Sequence, residues 1–232
     1  MRNSLPIWTL LLAMPLGMNA QRFDALRPPN TYRNADNPNY WKNAPPFEGY
    51  WQQDVHYRIK ARLNEKTDIA SGNVELVYWN NSPDTLRWVF FHLYQNAYNA
   101  GSYASMTGGA QPAEALADTS KERGTIVQDL RADGTTLRTE LDNTVLKAWL
   151  DTPLPPGGRV RFTCTFTTHW ASDVWRRMKL VNAWGFKHYD GVHWYPRIAV
   201  YDRKFGWDTQ QHMGNEFYGD FGAYDVDLDM PN

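Results

Sequence analysis

Disulfides do not hold this chain together, because its 232 residues contain one cysteine, Cys164. It has almost no net charge: 24 Lys and Arg stand against 25 Asp and Glu. That excludes the broad basic field of a nucleic-acid or anionic-membrane binder. No internal repeat is present. The apolar run at residues 5–16 is shorter than the roughly 20 residues a membrane-crossing helix needs, and Pro15 interrupts it. What the chain has in excess is aromatic side chains: 15% Phe, Trp and Tyr, with eleven Trp and thirteen Tyr. Such residues favour half-buried pleated surfaces, and Trp and Tyr also suit binding surfaces.

The first twenty residues have the layout of a secretory signal. Arg2 precedes the apolar run, and Ala20 offers a small residue at the cut. We therefore expect export, to a secreted or periplasmic location, with cleavage between Ala20 and Gln21. Residues 21–53 are rich in Pro, Asn, Tyr and Trp, which forbids a helix and interrupts any ladder. They read as an extended lead-in. Residues 54–232 read as one β-domain.

From Val55 the apolar period becomes two: Val55, Tyr57, Ile59, Ala61 and Leu63 alternate with His56, Arg58, Lys60 and Arg62. Further strands are expected at 69–78, with Gly72 as a bulge, and at 85–94. A long irregular stretch, 95–123, follows, with one or two helical turns at 112–118. Strands resume at 124–130, 143–150 and 160–168, with a tight turn at 132–134. Cys164 shares a face with Val160, Phe162 and Phe166, which makes it a small core residue. Tyr224, Val226, Leu228 and Met230 alternate with Asp225, Asp227 and Asp229, so those acids are the solvent face of a last strand. They are not a calcium loop, which needs a Gly after the third acid. The fold class is all-β, an antiparallel sandwich or saddle.

The order of these segments resembles the N-terminal β-domain of aminopeptidase-N-like zinc metallopeptidases. The residues that carry the resemblance are Tyr57, Ile59 and Leu63, then Ile69, Gly72, Val74 and Leu76. Asn80, Ser82, Asp84 and Leu86 follow, then residues 92–96 (His-Leu-Tyr-Gln-Asn), 194–202 (Trp-Tyr-Pro-Arg-Ile-Ala-Val-Tyr-Asp), Gly206, Trp207 and 224–231. The resemblance implies a non-catalytic domain that caps a downstream catalytic domain of the same polypeptide and shapes the peptide's entrance, the chain being an N-terminal fragment. It places zinc in that missing domain. The His-Glu-x-x-His signature, whose His pair binds zinc and whose Glu activates water, does not occur here. Residues 213–217 only superficially resemble the family's Gly-x-Met-Glu-Asn loop and read as a turn or strand edge.

In that family the corresponding edge offers an acid or amide to the substrate's ammonium. The resemblance therefore makes Asp190, with His193 beside it, the candidate substrate-binding pair. A solvated loop acid is the competing reading. His188 and His193 are five apart around Gly191, and they read as a polar aromatic loop feeding a strand, with no metal or catalytic residue assigned in this chain. Residues 173–179 read as a solvated turn with stacked Arg and Trp side chains. Trp and Tyr side chains between Trp184 and Trp207 are expected to stand exposed as an apolar patch where the partner domain packs. A rival reading is a stand-alone secreted sandwich that binds carbohydrate or protein through surface aromatics.

Overall fold

Strict alternation writes the first two strands. In the computed structural model, which describes residues 47–107, 124–170, 178–214 and 216–230, β1 runs Asp54–Asn64 and β2 runs Ile69–Trp79. In β1 the apolar Val55, Tyr57, Ile59 and Ala61 are buried and Arg58, Lys60 and Arg62 exposed. In β2 Ala70, Val74, Leu76 and Tyr78 are buried while the residues between them are partly or fully exposed, as half-buried strands require. The chain divides into two units, Met1–Phe47 and Glu48–Asn232. Only the second is described below. The signal and most of the lead-in lie outside the described residues, as do the expected helical turns at 112–118 and the turn residues 173–177.

Four more strands build the two main sheets: β3 (Leu86–His92), β4 (Gly124–Ala132), β7 (Val145–Leu154) and β8 (Arg159–His169). Short strands complete them: β5 (Thr135–Thr136), β6 (Arg138–Asp142), β11 (Arg197–Ile198) and β14 (Gly222–Asp229). One sheet has the order β14-β1-β2-β8-β4-β5 and the other β11-β3-β7-β6. Two hairpins stand apart: β9 (Met178–Ala183) with β10 (Phe186–Gly191), and β12 (Tyr201–Asp202) with β13 (Gly206–Trp207). A 3-10 turn at Tyr94–Tyr98 and a helical turn, α1 (Tyr103–Thr107), follow β3.

The core lies between the two sheets. Tyr57, Ile59, Leu76, Tyr78 and Phe162 from the larger sheet meet Val89, Phe91 and Ala148 from the smaller. Phe91 meets Phe162 edge-on, at 5.6 Å and 88°. The all-β expectation therefore holds, with one departure from an antiparallel scheme. β14 runs parallel to β1, pairing Tyr57 with Tyr224 and Ile59 with Val226.

Two local readings need correction. Gly72 is not a bulge, because the β1–β2 and β2–β8 registers run through it without a shift. A Cβ there would lie 2.7 Å from Ala61 Cα, so the glycine lets two backbones approach closely. The irregularity sits instead in β4, between Gln128 and Arg131, around the left-handed Asp129. The turn at 132–134 forms as expected. Ala132 faces Thr135, and Asp133 and Gly134 both take the positive φ of the tight hairpin turn.

Asn80 is the polar node of the corner between β2, β3 and β7. It is fully buried. Its side-chain nitrogen donates to the carbonyls of Asp84, Leu154 and Pro155 at 2.7, 3.1 and 3.0 Å. Its oxygen accepts from the Ser82 hydroxyl at 2.6 Å and the Ser82 N–H at 3.2 Å. Its backbone exchanges hydrogen bonds with Gly158 and Gly157. A buried amide with this many partners closes the corner without leaving an unpaired group.

Candidate functional site

Asp190 and His193 are three residues apart but sit in different surroundings. Asp190 is exposed on β10, opposite Lys179 of β9. The hairpin that carries it is anchored at its base. Tyr189 donates its hydroxyl to Asp68 at 2.6 Å, and the Lys187 ammonium reaches the same oxygen at 2.7 Å. The Trp170 ring lies edge-on to Tyr189 and so close to Gly191 that a side chain there would collide with it. His188 is exposed on the same hairpin. Past Gly191 the chain turns inward and His193 is buried, its ring 3.6 Å from Phe217 and 4.4 Å from Tyr94. The structure thus does not bring His188 and His193 together.

Tyr94 is the centre of a cluster that local sequence patterns do not reveal. Three imidazoles surround its ring: His92 at 4.8 Å, nearly parallel, His193 at 4.4 Å, and His212 at 5.5 Å. Phe217 closes the fourth side at 4.7 Å. Burial holds the Tyr94 phenol well above its ordinary range. His212 is held down at about 4, first by burial and then by the charge of His92, so it is neutral near pH 7. His92 is almost fully buried, with Nε2 3.6 Å from Asp208 Oδ2. Burial would raise the Asp208 carboxyl, but His92 and the Gln210 N–H outweigh it and keep Asp208 below the ordinary value.

These groups open on a cleft of about 360 Å³, lined by His92, Trp207, Asp208, His212, Phe217 and Tyr218 among others. Its floor is fixed by Gln211. That side chain accepts from the Thr144 hydroxyl at 2.7 Å and donates to the Asp142 carbonyl at 2.9 Å. On the far rim, Tyr218 donates to Asp202, whose carboxylate also takes the N–H groups of Lys204 and Phe205. Burial, and then Asp202, push the neighbouring Asp220 up to about 7. Arg197 lies among the phenols of Tyr57, Tyr94, Tyr195 and Tyr224 and donates to the Asp220 carbonyl at 3.3 Å. The arrangement offers the Asp208 carboxylate, the neutral His212 imidazole and aromatic walls to a polar ligand.

Among the described residues no three His, Cys, Asp or Glu side chains converge as metal ligands. The residues described here therefore do not fit a catalytic zinc. Cys164 is buried, and burial pushes its thiol up to about 12, so it is neither ligand nor nucleophile at neutral pH. Exposed aromatics are fewer than expected. Trp184 and Phe186 at the tip of β9–β10 are 96% and 79% exposed, but Trp194, Tyr195 and Trp207 pack against the core. No helix among the described residues is long and apolar enough to cross a membrane.

No family model and no curated protein matches the sequence. Among solved structures, the chain is similar to part of an M1 zinc metallopeptidase from Deinococcus radiodurans. The identity is 16% and the TM-score 0.35, over 52% of this chain and 21% of that one. It is also similar to part of a two-domain M1 zinc metallopeptidase mutant bound to L-tryptophan, with 15% identity and a TM-score of 0.41. That match covers 63% of this chain and 29% of the other. The chain spans less than a third of the length of either metallopeptidase.

Proposed function

We propose that this chain is the N-terminal, non-catalytic β-domain of an exported zinc metallopeptidase of the aminopeptidase type. It caps a catalytic domain of the same polypeptide, which holds the zinc, and borders the entrance for the peptide substrate. One observation carries this reading: the segments that bear the sequence resemblance are those that build the fold. Asn80, Ser82 and Asp84 form the buried corner. Residues 92–96 lead from β3 into the 3-10 turn, whose five residues are all buried. Ile198, Ala199 and Val200 are buried beside β3, to which β11 pairs.

In this reading the chain contributes position, not chemistry. Asp190 stands exposed on a hairpin held by Tyr189, Lys187 and Trp170, so its carboxylate is offered to a peptide ammonium from a fixed base. His193 helps to hold the turn below it, through Tyr94 and Phe217. Trp184 and Phe186 form the apolar tip that packs against the partner domain. Residues 1–20 are the export signal, and N-terminal sequencing of the exported protein is expected to begin at Gln21.

The test is to translate and express the reading frame past Asn232. A zinc-loaded protein that releases N-terminal residues from peptides, and loses that activity on chelation, supports the reading. A product that holds no zinc and cleaves no peptide overturns it. A second reading, a carbohydrate- or protein-binding sandwich, has its own observation. Trp51, Tyr201, Trp207 and Phe90 form a continuous aromatic row, and Lys147 links Phe90 to Trp88 and Trp149. Binding of glycans to the 232-residue chain, lost in Trp88→Ala, would favour it.

A further inference from the structure

β14 is an edge strand with little cover. Its one neighbour among the described residues is β1. All eight of its residues are exposed. In a parallel pair, alternate residues aim their backbone groups at the same neighbour, so the remaining N–H and C=O groups of β14 face outward.

The two faces of β14 differ in chemistry. Tyr224, Val226 and Leu228 pair with the core-facing Tyr57, Ile59 and Ala61, yet remain 39%, 48% and 51% exposed. They continue into an apolar groove of about 210 Å³ lined by Leu63, Trp170, Trp194, Leu228 and Met230. On the other face, Asp225, Asp227 and Asp229 lie level with Arg58, Lys60 and Arg62 of β1. Asp225 meets His56 at 2.9 Å and Arg58 at 3.7 Å, and Asp229 meets Arg62 at 3.5 Å. The Asp225 and Asp229 side chains are still 68% and 71% exposed. β1 is thus a strand of alternating bases and apolar residues laid against a strand of alternating acids and apolar residues.

We propose that the free edge of β14 accepts a second strand of the chemistry of β1: an extended polypeptide segment whose alternate residues are basic and apolar. Its bases face Asp225, Asp227 and Asp229 from the open side. Its apolar residues extend the core face across Tyr224, Val226 and Leu228 towards the groove. Main-chain hydrogen bonds supply the general affinity, and the alternation supplies the register. A second copy of β14 is a poor occupant, because edge-to-edge pairing would set acids directly opposite acids. This surface is distinct from the cleft at Asp208, its groove borders the base of the Asp190 hairpin at Tyr189 and Gly191, and the proposal stands whether or not the chain belongs to a peptidase.

The test uses the full 232-residue chain and a labelled peptide of alternating Lys and Val, eight residues long to match β14. A peptide with Glu in place of Lys is the matched control. The Lys peptide is expected to bind and to slow amide exchange at residues 222–229. The binding should weaken by about tenfold in the double variant Asp227→Asn, Asp229→Asn, and by a similar factor at high salt. The salt arm uses unaltered protein, so a folding defect in the variant does not decide the outcome. Equal binding of the Glu peptide, protection elsewhere than 222–229, or a dimer formed through β14 in sedimentation would each overturn the proposal.

Discussion

The rings of Tyr57 and Tyr224 stack at 4.9 Å with only 3° between their planes, across the parallel pairing of β1 and β14. Tyr57 is 1% exposed and its hydroxyl accepts the Ile198 N–H at 2.8 Å, whereas Tyr224 is 39% exposed. Tyr195 lies edge-on to both rings. The exposed ring therefore lids the buried one and ties the last strand to the core.

Tyr224→Ala is expected to release β14 without unfolding the sandwich. The loss combines an aromatic pair with new exposure of Tyr57, about 1–3 kcal/mol. Hydrogen exchange should quicken at residues 222–229 while β1 and β2 keep their protection. Uniform loss of protection in all strands would show that β14 is an integral part of the cooperative unit.

Asn80→Leu is expected to be among the most damaging single changes. It leaves the carbonyls of Asp84, Leu154 and Pro155 without their shared donor and removes the acceptor of the Ser82 hydroxyl. Each orphaned buried group costs about 1–3 kcal/mol. Denaturant unfolding should show a drop of about 3 kcal/mol or more, and a change within 1 kcal/mol would contradict the role of the corner.

The purified 232-residue chain is expected to carry substoichiometric zinc after dialysis against the metal, and to hydrolyse no aminoacyl anilide. The reason is the lack of any three converging ligands among the described residues. One tightly held zinc per chain, with peptidase activity lost on chelation, would overturn it.

Alternation made β1, β2 and β8 legible in the sequence, because each buries one face and leaves the other partly or fully exposed. β6 was not legible, since all five of its residues are exposed and leave no apolar pattern. The β9–β10 hairpin mixes Lys187, His188 and Asp190 with Phe186 and Tyr189 and has no clean period, so its tight turn at Trp184 and Gly185, both at positive φ, goes unannounced. The last strand could be read as acid-faced from its alternation, but all eight of its residues are exposed. Its parallel pairing joins Val55 to Gly222, a distance along the chain that no local rule spans. The imidazole cluster has the same origin: His92, His193 and His212 come from three separate segments and meet only around Tyr94.

Two groups near the cleft titrate against each other. His212 has a folded value of about 4 against an ordinary 6.5. Between these values the unfolded chain binds the proton more readily, so the stability it contributes is present above about pH 6.5 and is lost as pH falls towards 4. Asp220 behaves in the opposite sense. Burial, Asp202 and Asp54 raise it to about 7, against the pull of Arg197, from an ordinary 3.8. Its folded carboxyl keeps a proton that the unfolded chain has released, so its contribution is present at low pH and is lost as pH rises through about 7. Across the window from about pH 4 to 6.5 the two slopes oppose, and single variants should separate them. Relative to the parent, Asp220→Asn is expected to gain stability between about pH 4 and pH 7.5, and His212→Gln to lose it over the same rise. Thermal unfolding of the parent and both variants at the two pH values is the measurement. If the difference between each variant and the parent is the same at both, neither group titrates as its surroundings dictate.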